Sequence, residues 1–186
     1  SIIDAFNPSS ALIPYNRTGG ITSAIVTPSS GNHIFSGMAS AFKLDGKLTE
    51  ESIGQDVAMT MSFGGNEGSR ASQMLLIKDS ITKARNYHKS RSQIMRGGYF
   101  EFGNYTPRDL EAILRVINRE IPLIIRVDRA RDMLRMIRFS NENEIEIIFA
   151  GAKEAWRIAD MIAIQSIPVI LDPMDNIPSS FDSIFY

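Results

Sequence analysis

The sequence has no cysteine, a single tryptophan and only two histidines among 186 residues. Without cysteine there are no disulfides, thiolate zinc sites, iron–sulfur clusters or Cys nucleophile. The compartment stays undetermined, because cytosol and periplasm both accept a Cys-free chain. Long apolar runs are also missing: none approaches the ~18 residues of a membrane span, and no signal-peptide pattern occurs. These absences read as a soluble protein, cytoplasmic or periplasmic. Charge of one sign is not in excess, with 20 basic and 21 acidic residues and a net charge of −1. No field is implied that would draw nucleic acid or an anionic membrane. The basic residues are scattered, without interleaved aromatics. Gly64-Gly65 and Gly97-Gly98 do not match a phosphate-binding loop, and no Gly-x-Ser-x-Gly elbow marks a serine hydrolase.

What is present is ordinary globular composition, 44% hydrophobic and 22% charged, which supports a sizeable core. The length fits a single domain over 1–186. Three short apolar runs organise it: Pro122-Leu123-Ile124-Ile125, Glu146-Ile147-Ile148-Phe149 and Pro168-Val169-Ile170-Leu171. Amphipathic segments separate them, and strand–helix alternation at this pitch signals a parallel sheet. The fold class is therefore α/β, built from parallel βα units. The spacing predicts strands at 122–127, 145–149 and 168–171, with helices over about 129–140 and 153–165. Upstream, strands are expected at 21–27, 38–44 and 57–63. Asn7-Pro8-Ser9-Ser10 reads as the start of a helix that runs to about Thr18, which Pro14 limits or kinks. A long helix is expected from Ser69 to about Met95. Another is expected after Thr106-Pro107, with Thr106 supplying the N-cap oxygen and Asp109 complementing the dipole.

Sites in α/β sheets lie at the C-terminal ends of the strands. Arg126, Asp128, Ala150 and Asp172 stand there. Arg126, Asp128 and Arg129 form either an anion-binding site or a structural ion pair. Arg70, opening a helix after Gly68-Ser69, is a candidate to hold a carboxylate or phosphate. Ser36 is a further candidate ligand contact. The weaker catalytic candidates are His33 in a Gly/Ser loop, Asp128 and Asp172. His88 reads as a helix-surface residue.

Four stretches together resemble the amidohydrolase superfamily, on its imidazolonepropionase-like and prolidase-like branch. The first is Ala5-Phe6-Asn7-Pro8 followed by Gly20 to Pro28. The second is Ile34-Phe35-Ser36-Gly37, with Leu44-Asp45-Gly46 closing a hairpin. The third is Phe63-Gly64 with Gly68-Ser69-Arg70-Ala71. The last is Ile121 to Pro173, containing Val127-Asp128-Arg129-Ala130-Arg131-Asp132 and Ala150-Gly151-Ala152-Lys153-Glu154-Ala155-Trp156. The resemblance implies a (β/α)₈ TIM-type barrel. It also implies one or two divalent metals, usually zinc, whose bound water attacks an amide or related C–N bond.

Against that pattern, Arg126 and Asp128 occupy positions where the resemblance implies His, and Ala150 occupies a third. A guanidinium stays protonated and offers no lone pair to a metal. No metal ligand is assigned in this chain, and no cofactor is expected of it. Zinc is expected only if the full-length protein is active. The first His-x-His pair would precede Ser1 and the last metal-binding Asp would follow Tyr186. The chain is expected to form an incomplete barrel, and either a partner copy covers its edges or the chain, which opens without Met, is a piece of a longer protein. Its bare strand edges are expected to favour self-association, and its cationic strand end a small anionic ligand. Two readings stay open: a segment of a metal-dependent hydrolase acting on non-peptide or dipeptide C–N bonds, or a catalytically inactive binding or assembly domain.

Overall fold

The computed structural model describes residues 2–28, 34–47, 52–64 and 68–172. Six strands form one sheet in chain order: β1 Ser23–Val26, β2 Phe35–Lys43, β3 Gly54–Ser62, β4 Leu123–Val127, β5 Ile147–Gly151 and β6 Val169–Leu171. The pairs β3–β4, β4–β5 and β5–β6 are parallel. The first three strands form an antiparallel meander. The sheet curls into half a barrel, so the α/β fold with parallel βα units is as the sequence pattern indicates. The meander explains why no helix pattern separates the first three strands, since antiparallel neighbours need only a short connection.

The helices are α1 Leu12–Thr18, α2 Arg70–Met95, α3 Pro107–Ile117, α4 Ala130–Asn143 and α5 Ala159–Ile164. Ser69 caps α2, its hydroxyl accepting the Ser72 N–H at 3.1 Å. Thr106 and Asp109 form a reciprocal capping box on α3, with Pro107 at its first position, the arrangement those residues specify. At the far end of the sheet the Arg119 guanidinium donates to the Glu144 carbonyl at 2.6 Å. Both residues have positive φ, 60° and 58°, so this bond ties two tight turns that precede β4 and β5.

Some boundaries differ from the sequence expectation. The first helix divides into a 3₁₀ turn, Ile2–Ala5, and α1. Pro14 falls in the first turn of α1, where its missing N–H is not needed. β2 begins at Phe35, not residue 38, and β3 at Gly54, not residue 57. Both early starts lie in irregular pairing, and Asp56 there adopts φ 50°. Its N–H is held by the Ser40 hydroxyl and its carbonyl by Arg115. Bulges of this kind interrupt the alternating pattern from which strands are read. The last helix starts as a 3₁₀ turn, Ala155–Ile158, before α5. The loop at 29–33 and the tail from 173 lie outside the described residues.

Alternation in β4 divides the core. Leu123, Ile125 and Val127 are buried with Met59, Met61, Phe63 and Phe149 against the apolar faces of α2, α3 and α4. Ile124 turns to the other face, where Ala39 and Ala58 join it and Ile148 and Ala150 pack alongside. The helix side is thus thick with large residues, whereas the helix-free side has a thin floor of alanines and two isoleucines. Among the described residues no helix is long and apolar enough to cross a membrane.

Two stability predictions follow from this packing. Ile125 is fully buried, so Ile125→Ala is expected to cost about 2–5 kcal/mol. Arg126→Ala, one residue away on the open face, should stay within about 0.5 kcal/mol. Urea unfolding of the two variants compares them directly. Tyr87 packs edge-on to Phe100 and donates to Glu111 at 3.2 Å. Burial, with that bond and the nearby Glu111 charge, raises its hydroxyl above its ordinary value of 10.0. The native state then keeps this proton where the unfolded state has released it. Stability therefore falls as pH climbs above about 10 towards the raised value. Tyr87→Phe should remove that part of the alkaline loss, read as the difference between two alkaline unfolding series.

Candidate functional site at the carboxyl ends of the strands

The register places four residues in one row across the parallel strands. Ser62 of β3 faces Arg126 of β4, Arg126 faces Ala150 of β5, and Ala150 faces Ile170 of β6. Neighbours in such a row stand about 4.8 Å apart in the hydrogen-bonding direction. The row lies on the helix-free face, because Arg126 alternates with the buried Ile125 and Val127. Arg126 is exposed, and its side chain makes no hydrogen bond or ion pair with any described residue. Ile170 is 48% exposed. The mouth of the half-barrel thus presents a hydroxyl and a guanidinium on one side, a methyl and a sec-butyl group on the other.

Above this row the turns are fixed by two buried carboxylates. Asp132, on the first turn of α4, is 3% exposed. It accepts from Arg70 Nε at 2.6 Å, with Arg135 at 3.8 Å on its other oxygen. This bond joins the start of α2 to the start of α4. Gly64, which begins the turn before α2, is held through both backbone groups by the side-chain amide of buried Gln73, at 2.8 and 3.3 Å. Glu154 is the second carboxylate. Arg129 sits at the N-cap of α4 but has no oxygen to offer, and makes no side-chain cap. Glu154 supplies one from the next βα turn, accepting the Ala130 N–H at 2.7 Å. Its own N–H donates to the Asp128 carbonyl at 2.9 Å, and the Ala152 N–H to that of Val127 at 3.0 Å. Gly151, at φ 79°, has no side chain to meet Asp128 Oδ1, which lies 2.7 Å from where a Cβ would sit.

The residues singled out from the sequence are distributed as follows. Arg126, Asp128 and Arg129 come together on β4 and the turn after it. Asp128 and Arg129 are half-buried. Arg70 is engaged by Asp132, one turn above the row. Asp172 stands exposed just past β6. Ser36 lies elsewhere, lining a cavity of about 850 Å³ on the helix side with Met59, Tyr105 and Ile113. His33 is outside the described residues. His88, exposed on α2, borders the same helix-side cavity as Ser36. Sequence reasoning assigned no role to Glu154, Asp132 or Gln73. Asp132 carried one signal, an acid among the buried Met133 and Met136 of an amphipathic helix. Glu154 carried a subtler one, since α4 opens after Arg129 with no capping oxygen of its own.

Among the described residues no group of three His, Cys, Asp or Glu stands together as a metal site would require. The donor set of the row, a hydroxyl, a guanidinium and two hydrocarbons, does not fit a divalent metal. It fits an anion.

Removing the Glu154 acceptor strands a buried N–H, so Glu154→Ala is expected to lose about 1–3 kcal/mol. Glu154→Gln keeps an oxygen there and should retain most of the stability, because the Arg157 pair it sacrifices is half-exposed and such pairs contribute little. Equal losses in the two variants, measured by urea unfolding, would contradict the capping role.

No family model matches this chain, and no curated protein does. Among solved structures, an amidohydrolase from Thermotoga maritima MSB8 is similar, with a TM-score of 0.83 and 25% identity. The match covers 98% of this chain and 50% of that one, so the chain spans half the length of the structure it resembles. The α/β half-barrel described above is amidohydrolase-like.

Proposed function

We propose that this chain is an amidohydrolase-like segment whose strand-end mouth binds an anion in place of activating water at a metal. The observation that carries this reading is the position of Arg126 in the row Ser62–Arg126–Ala150–Ile170. The resemblance puts metal-binding histidines at Arg126 and Ala150. A fixed positive charge there repels a divalent cation, and the methyl beside it cannot ligate one. The same charge, solvent-facing and without a protein partner among the described residues, is a ready contact for a carboxylate or phosphate. Arg129 stands at the same strand end, with the half-buried Asp128 between the two arginines. The motifs from Ala5 to Pro28 and from Ile121 to Pro173 favour the imidazolonepropionase-like and prolidase-like branch. The open edges at β1 and β6 favour self-association or pairing with further strands.

The rival is hydrolysis of C–N bonds by a metal held with ligands from outside these residues. Metal analysis of the purified full-length protein separates the two. The binding reading expects substoichiometric zinc and a fold indifferent to chelator. Stoichiometric zinc, removed by chelation together with amide hydrolysis, would overturn it.

A further inference from the structure

The row at the mouth is divided by polarity along the sheet, and this division names a ligand class. We infer that the site takes a small carboxylic acid with an apolar body, its carboxylate towards β3–β4 and its body lying over β5–β6. The inference rests on the binding reading above and goes further, because that reading specifies only an anion.

On one side stand the Ser62 hydroxyl and the Arg126 guanidinium, register neighbours on β3 and β4. A guanidinium presents paired N–H donors that match a carboxylate in two parallel bonds. On the other side stand Ala150 and Ile170, register neighbours on β5 and β6. Neither offers a polar side-chain atom. Ala150 is only half-buried and Ile170 is 48% exposed, so both have surface for a hydrocarbon to cover. The floor under the row is closed by Ile124 with Ala39 and Ala58, and Ile148 packs against them. The Thr60 hydroxyl, in register with Ile124, is spent on the Gly37 carbonyl at 3.1 Å. A fully hydrated dianion such as phosphate would use Arg126 and leave the β5–β6 half unmatched. A neutral hydrocarbon would use that half and leave the guanidinium uncompensated. A carboxylate with an apolar body uses both. Asp132 and Glu154 hold the starts of α2 and α4 beside the row through bonds of 2.6 and 2.7 Å.

Calorimetric titration of the full-length protein with acetate, butyrate, hexanoate, hexanamide and inorganic phosphate tests this. Affinity is expected to rise with chain length, about tenfold or more from acetate to hexanoate, as added methylenes cover Ala150 and Ile170. Hexanamide should bind about tenfold or more weakly than hexanoate, having lost the charge-assisted pair. Arg126→Ala should erase the difference between hexanoate and hexanamide, and Arg126→Lys should restore part of it. Ala150→Asn should flatten the chain-length dependence. Near-UV circular dichroism confirms that each variant retains its packing. Equal binding of acetate and hexanoate, hexanoate binding undiminished by Arg126→Ala, or no carboxylate binding at all would overturn the inference. If phosphate binds through Arg126 with no chain-length effect in a zinc-free protein, the anion-binding reading stands and the carboxylic-acid assignment falls. If zinc and hydrolysis are found, the reading itself falls.

Discussion

A guanidinium is too costly to bury without a partner, and Arg126 lies near the end of a central strand whose other four residues are buried. That conflict sets how β4 is turned. Side chains alternate across a strand, so Arg126 on the open side puts Ile125 and Val127 against α2, α3 and α4. A shift of one residue would bury the guanidinium in the helix-side core and expose two large aliphatics. β3 and β5 are locked to β4 by register, and β6 to β5, so the same choice brings Ser62, Ala150 and Ile170 to the mouth. The residue that carries the proposed function is also the one that makes the register costly to change.

Alternation fixes the face but not the turns above it. Those are set by carboxylates that reach from one βα unit to the next. Asp132 gathers the starts of α2 and α4 around Arg70, and Glu154 caps α4 from the turn that follows β5. Glu154 satisfies the Ala130 N–H, for which Arg129 offers no capping oxygen, and Asp132 pairs with a half-buried guanidinium. Such bonds are worth more for the penalty they avoid than for their net strength. They also make neighbouring units interdependent. A half-barrel has no closed ring of strands to hold its mouth in shape, and these links do part of that work.

The architecture was largely readable from residues. The three apolar runs mark β4, β5 and β6 within a residue or two, and Thr106-Pro107 with Asp109 identifies the start of α3. Ser69 marks the start of α2 equally well. What escaped reading was set by tertiary contact. The early starts of β2 and β3 depend on irregular pairing, in which Asp56 at positive φ is held by Ser40 and Arg115. The Glu154 cap depends on a residue 24 positions from its partner, which no local rule reaches. At the site, Arg126 and Ala150 stood out because they replace residues that the resemblance implies, and the structure adds what lies beside them. Arg70, another candidate for an anion, pairs with Asp132. Ser36, at a strand start, faces a different cavity.

The account stands or falls on whether residue 126 faces the open mouth. The absence of cysteine makes this measurable, because a single introduced thiol is unique in the chain. Arg126→Cys and Val127→Cys, treated with a thiol reagent under native conditions, should differ sharply. Rapid modification is expected at 126 and strong protection at 127. Protection at 126 with rapid modification at 127 would mean that the strand is turned the other way, contradicting both the register and the site built on it.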